Sequence, residues 1–165
     1  DKWPWQVSVE DNSGNQFCGA TVISENWVLT AAHCVFDENS TELIDVKNVM
    51  ITTGKGGNNA REFDVAEIIP HAEYKTAFDG KDIALLKLGK PLTFDDSASP
   101  ICLPHPAQLI PNDGNAVVIG YGISNERGTD ILNNDNILSE TIIPIVNDNV
   151  CGRRWIEYAK STPTE

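Results

Sequence analysis

No run of apolar residues in this 165-residue chain approaches the 18 that a transmembrane helix requires, which excludes such a helix. Basic residues are half as numerous as acidic ones, 12 against 24, for a formal net charge of −12. They are also scattered: Lys81, Lys87 and Lys90 come nearest to a cluster, among strand residues. The basic patch of a nucleic-acid-binding protein is therefore missing. The acidic excess reads as a solvated surface with some bias toward cationic partners. No C-x-x-C occurs, which argues against a zinc ribbon or a thioredoxin-type motif. Beyond the neighbours His33 and Cys34, no His or Cys lies at metal-ligand spacing, so no metal or other cofactor is expected. Collagen-like and disordered compositions are excluded by 12 Gly, 9 Pro and a 41% hydrophobic content. There is no internal repeat and no low-complexity tract. The chain starts at Asp1 without Met or a basic-then-apolar leader, so no signal peptide or pro-segment is expected within it.

What is present begins with four cysteines, Cys18, Cys34, Cys102 and Cys151, which fit disulfides in an oxidising compartment. Asn39-Ser40-Thr41 is a glycosylation sequon; it fits a secreted protein, although chance sequons are frequent. Period-two runs predict short strands at Gln6 to Val9, Cys18 to Ile23, Trp27 to Ala31, Val49 to Thr53, Glu62 to Ile69, Ile83 to Leu88, Ala116 to Tyr121 and Thr141 to Val146. Gly, Asn and Asp clusters separate them, such as Asn12-Ser13-Gly14, Gly54 to Asn59, Asp79-Gly80, Asn112 to Gly114 and Gly128-Thr129. Many short strands with regular turns indicate an all-β sandwich or barrel. One helix is expected, from about Asn147 to Ala159, capped by Asn147 or Asp148. Residues 1–99 hold enough strands to close a barrel. The proline-rich stretch in 100–115 reads as a stiff connector. Residues 116–165 hold two strands and the helix, too few to close a second barrel, which suggests a truncated second half.

Two segments carry chemistry. The apolar run Trp27-Val28-Leu29-Thr30-Ala31-Ala32 ends in His33-Cys34, and Cys34 is placed to tie the turn back to Cys18. A covalently pinned His suits general-base work, because catalysis needs fixed geometry first. It is equally a packed His beside a disulfide. Asp82 heads the apolar strand Ile83-Ala84-Leu85-Leu86-Lys87-Leu88. A carboxylate there is partly buried and needs partners, of which an imidazole N–H is one and the amides of a capped turn are another. His71 reads as structural, His105 as a solvent-facing residue of the connector, and the tryptophans Trp3, Trp5, Trp27 and Trp155 as packing residues.

In order and spacing the chain resembles the chymotrypsin/trypsin family of serine endopeptidases (S1) along nearly its whole length. The matching residues are Trp3 to Val9, Cys18-Gly19-Ala20, Val22-Ile23-Ser24, Trp27 to Cys34, Ile68 to Tyr74, Asp82 to Leu88, Pro100 to Pro104, Gly120-Tyr121-Gly122 and Asn147 to Cys151. The resemblance implies a double six-stranded antiparallel β-barrel, the second barrel incomplete here. It implies His33 as general base and acid, Asp82 as the carboxylate that orients it, and a Cys18–Cys34 disulfide. It also implies peptide-bond hydrolysis, protein or peptide substrates, protein protease inhibitors as partners, and secretion. Nucleic acid and membrane are not expected partners.

The match breaks at the nucleophile. The family carries its Ser in Gly-Asp-Ser-Gly-Gly, and none of Ser8, Ser13, Ser24, Ser40, Ser97, Ser99, Ser124, Ser139 or Ser161 has that setting. The family's Ile/Val-Val-Gly-Gly start is missing as well, and so are the expected partners of Cys102 and Cys151. The chain thus looks like roughly the N-terminal two thirds of such a domain, and by itself it is expected to be inactive. The alternative is a catalytically inactive homologue that acts as a binding or regulatory module. A calcium site in the Gly54 to Asn59 loop is not expected, because that loop has no carboxylate before Glu62.

Overall fold

Alternation of apolar and polar side chains lets each short strand turn one face inward, and the Gly, Asn and Asp punctuation reverses the chain between strands. The computed structural model describes residues 2–37, 42–78, 80–109, 111, 113–122 and 137–161. The sequon at Asn39 and the Gly128-Thr129 turn lie outside the described residues. The strands are β1 (Gln6–Glu10), β2 (Gln16–Val22), β3 (Trp27–Thr30), β4 (Met50–Thr53), β5 (Arg61–Pro70), β6 (Ala84–Leu88), β7 (Asn115–Gly120) and β8 (Ser139–Pro144). The helix α1 spans Asp148–Ser161. Among the described residues no helix is long and apolar enough to cross a membrane.

The first six strands form a closed barrel in the order β1-β2-β3-β6-β5-β4, every pairing antiparallel. Closure leaves no free strand edge in this sheet. Strands β7 and β8 form a separate two-stranded sheet. The chain divides into two compact units, Asp1–Leu103 with Gly120–Ser139 and Pro104–Ile119 with Glu140–Glu165. The fold is thus mostly β, as the strand pattern implies.

Inside the barrel, Val7, Val9, Ala20, Val22, Val28, Ile51, Ala84 and Leu86 are buried, with Val35, Leu88 and Leu92 beside them. The β1–β2 reversal is held by Asp11, whose Oδ1 accepts from the amides of Ser13 (2.8 Å) and Asn15 (2.9 Å). Gly14 completes the turn at φ 79°, a left-handed conformation that favours glycine.

One acidic residue departs from the solvated surface expected of them. Ser8 and Glu10 alternate with Val7 and Val9 on β1, so they face the other way, yet both are buried. Glu10 Oε1 accepts from Ser8 Oγ and from Lys55 Nζ, each at 2.5 Å, and Oε2 accepts from Thr52 Oγ1 at 3.0 Å. Burial pushes the Glu10 carboxyl up. The hydrogen bonds from Lys55, Ser8 and Thr52, with the Lys55 charge, outweigh burial and hold it below the usual carboxylate range.

Helix α1 starts as expected. Asn147 caps it, its Oδ1 accepting from the Asn149 amide at 2.9 Å. Trp155 differs from expectation. It stacks on Tyr158 at 5.7 Å but remains 65% exposed, because helical spacing puts the two rings together on an uncovered face.

Candidate active site

Register brings His33 and Asp82 together. In the antiparallel pairing of β3 with β6, Thr30 lies opposite Ala84. Residues that follow Thr30 therefore return toward residues that precede Ala84. Past Thr30, Ala31 stays extended and the chain tightens into a 3-10 turn over Ala32–Val35, with His33 in it. Ala32, Cys34 and Val35 are buried while His33 points outward. The small side chains of Ala31 and Ala32 permit this close passage.

The disulfide Cys18–Cys34 joins β2 to this turn, with Cα atoms 6.1 Å apart. Cys18, His33 and Cys34 bring their ligating atoms within 4.8 Å of one another, but both sulfurs are committed to the bond between them. Cys102 and Cys151 are free and exposed.

His33 Nδ1 lies 2.7 Å from Asp82 Oδ2, and the His33 amide donates to Asp82 Oδ1 at 2.8 Å. The side chains are 54% and 23% exposed, so the imidazole is open on the side away from its carboxylate. Burial pushes the Asp82 carboxyl up. The His33 ring, the His33 amide, the imidazole charge and the Ala32 amide together outweigh it, so the carboxyl stays below its usual range and ionised at neutral pH. An ionised Asp82 accepts a hydrogen bond from the Nδ1–H tautomer of His33, in which Nε2 carries the lone pair. Nε2 also lies 3.5 Å from Cys34 Sγ, and a disulfide sulfur carries no proton to donate there.

A cavity of about 1140 Å³ opens beside the imidazole. Its wall includes the disulfide, Phe17, Phe36, Tyr74 and Phe78. Phe36 and Tyr74 pack at 5.2 Å, while Phe78 is 93% exposed at the rim. Burial, with a smaller push from the Asp82 charge, raises the Tyr74 hydroxyl above its ordinary range.

A family model described as Trypsin matches residues 1–164. The chain belongs to the trypsin family. It is a trypsin-like serine-protease domain, and protein substrates follow from that family.

His33 and Asp82 meet, and Cys18 is bonded to Cys34. The sequon Asn39 is not among the described residues. No described Ser hydrogen-bonds His33. Ser8 is fully buried against Glu10, and Ser97 Oγ hydrogen-bonds Asp95 Oδ1 at 2.8 Å. His71 and His105 are exposed, and their Nδ1 atoms accept from the amides of Glu73 and Ala107. Sequence reasoning missed Lys81, which it grouped with strand lysines. Lys81 instead sits before β6 at φ 61° and pairs with Glu73. The adjacent Asp79-Gly80 turn signal marked the place, but nothing local pointed to Glu73.

Proposed function

We propose that this trypsin-family chain is part of a serine endopeptidase, with His33 as general base and acid and Asp82 as the carboxylate that orients it. The observation that carries this reading is the 2.7 Å approach of His33 Nδ1 to Asp82 Oδ2, with the rest of the imidazole exposed beside a cavity. In this mechanism a Ser hydroxyl attacks the substrate carbonyl while Nε2 of His33 takes its proton. His33 then gives that proton to the leaving amine, and the acyl-enzyme is hydrolysed by water through the same groups in turn. Asp82 stays ionised throughout; it holds the Nδ1–H tautomer and stabilises the imidazolium.

The 165 residues contain no Ser in a Gly-Asp-Ser-Gly-Gly setting. The reading therefore assigns turnover to a polypeptide that joins this chain to a Ser-bearing segment, and no turnover to the 165 residues alone. It places residues 1–99 as the first barrel, 100–115 as the connector and 116–165 as part of the second. Secretion, glycosylation at Asn39, and protein inhibitors as partners belong to the same reading; the Cys18–Cys34 disulfide supports the first of these.

Peptide mapping of the polypeptide from its source tests the proposal. A Gly-Asp-Ser-Gly-Gly peptide on the same polypeptide supports the endopeptidase. Another residue in place of that Ser contradicts it and favours a binding homologue.

A further inference from the structure

The turn that delivers Asp82 is unusual in its backbone. Lys81 is the one non-glycine residue with positive φ among the described residues, at 61°, and it follows Gly80 at 78°. Two consecutive left-handed residues therefore stand immediately before Asp82. A lysine in that region is held there by its surroundings, and such outliers cluster where a fold fixes a functional group.

What holds it is a closed ring of interactions. The His71 amide donates to Ile83 O at 2.9 Å, and the Ile83 amide donates to Lys81 O at 2.8 Å. Lys81 Nζ pairs with the Glu73 carboxylate, and the Glu73 amide donates to His71 Nδ1 at 3.1 Å. Asp82 lies between Lys81 and Ile83, at the centre of the three-residue turn that the second of these bonds closes. The ring joins the segment just past β5 to the segment just before β6. The Lys81–Glu73 pair is exposed, so its contribution to global stability is small. It ties the residue just before Asp82 to the segment just past β5.

We propose that His71, Glu73 and Lys81 are positioning residues that hold Asp82 against His33. This inference rests on the catalytic reading of that pair, and it adds residues that touch neither substrate nor the reacting atoms.

The test reads the pair directly in the full 165-residue chain. Nitrogen-15 NMR of the imidazole gives the ratio of the Nδ1–H to the Nε2–H tautomer of His33. Lys81→Val, a β-branched residue forced into the left-handed region, is expected to lower that ratio roughly tenfold. Lys81→Asn, which tolerates the same backbone but loses the ion pair with Glu73, is expected to lower it by less than Lys81→Val does. His71→Leu, which removes the acceptor for the Glu73 amide, is expected to lower it as well. Amide dispersion and melting temperature show in each case whether the barrel is folded. A ratio unchanged in both folded Lys81→Val and folded His71→Leu overturns the proposal and leaves the catalytic reading standing. A fall in melting temperature with an unchanged ratio also overturns it, since that is what a purely structural turn gives. An unsubstituted chain without a dominant Nδ1–H tautomer overturns both.

Discussion

Asp82 grips His33 at two points, the ring through Oδ2 at 2.7 Å and the backbone amide through Oδ1 at 2.8 Å. One carboxylate bound to both ends of the same residue fixes the position of the turn and the rotation of the imidazole together. The strands behind it are rigid elements of a closed barrel, and the disulfide holds the turn from the other side. Preorganisation of this kind is what general-base chemistry demands of its scaffold.

Asp82→Asn should break the ring contact while leaving the chain folded. An amide accepts the His33 backbone N–H through its oxygen and then presents NH2 to the ring, which favours the wrong tautomer. In a polypeptide that carries the nucleophile, kcat should fall by about 10⁴. Amide hydrolysis measured alongside the His33 tautomer checks both halves.

Replacing Cys18 and Cys34 together by Ala should cost about 3 kcal/mol, the loop-closure value for a sequence separation of 16. Urea unfolding of the double variant gives this figure. The loosened turn should also broaden the His33 imidazole signals.

Glu10→Gln should destabilise the barrel by about 3 to 5 kcal/mol, because it leaves the buried Lys55 ammonium without its counter-charge. The pH dependence has a definite sign. The folded carboxyls of Glu10 and Asp82 lie below their ordinary values, so both contribute stability above about pH 4.3, the unfolded value of a Glu. That contribution is lost as pH falls through the folded values. Unfolding free energy measured from pH 7 to 3 should drop on acidification, and less steeply in Glu10→Gln.

Leu86→Ala should cost about 2 to 5 kcal/mol, since Leu86 is fully buried in the barrel interior and its removal leaves a cavity. A denaturant midpoint lowered at unchanged slope is the expected observation.

Much of this was legible in the sequence. All eight strands and the helix stand where period-two runs and the Asn147 cap put them, with ends shifted by a residue or two. Trp27 to Ala31 and Ile83 to Leu88 read as strands because their apolar content is dense, and the resemblance supplied His33 and Asp82. The 3-10 form of the turn over Ala32–Val35 was not legible, because no Gly, Pro, Asn or Asp stands between Ala31 and Phe36 to mark it. Nor was the Glu10–Lys55 pair, whose members stand 45 residues apart. Periodicity tells which face a residue takes within a strand, not which residue of another strand it meets. Lys55 looked like one more polar residue in a glycine-rich loop. Lys81 was obscured for the same reason: left-handed backbone at a lysine has no composition signal, and its partner Glu73 lies across a turn.

A nucleophilic serine served by His33 and Asp82 should react with a fluorophosphonate. The reagent bonds only to a serine whose hydroxyl is activated by a neighbouring base. Mass spectrometry of the source polypeptide should find one labelled Ser, and His33→Ala or Asp82→Asn should suppress that label. A polypeptide that takes up no label, or takes up as much with His33 replaced as without, has no serine activated by this pair.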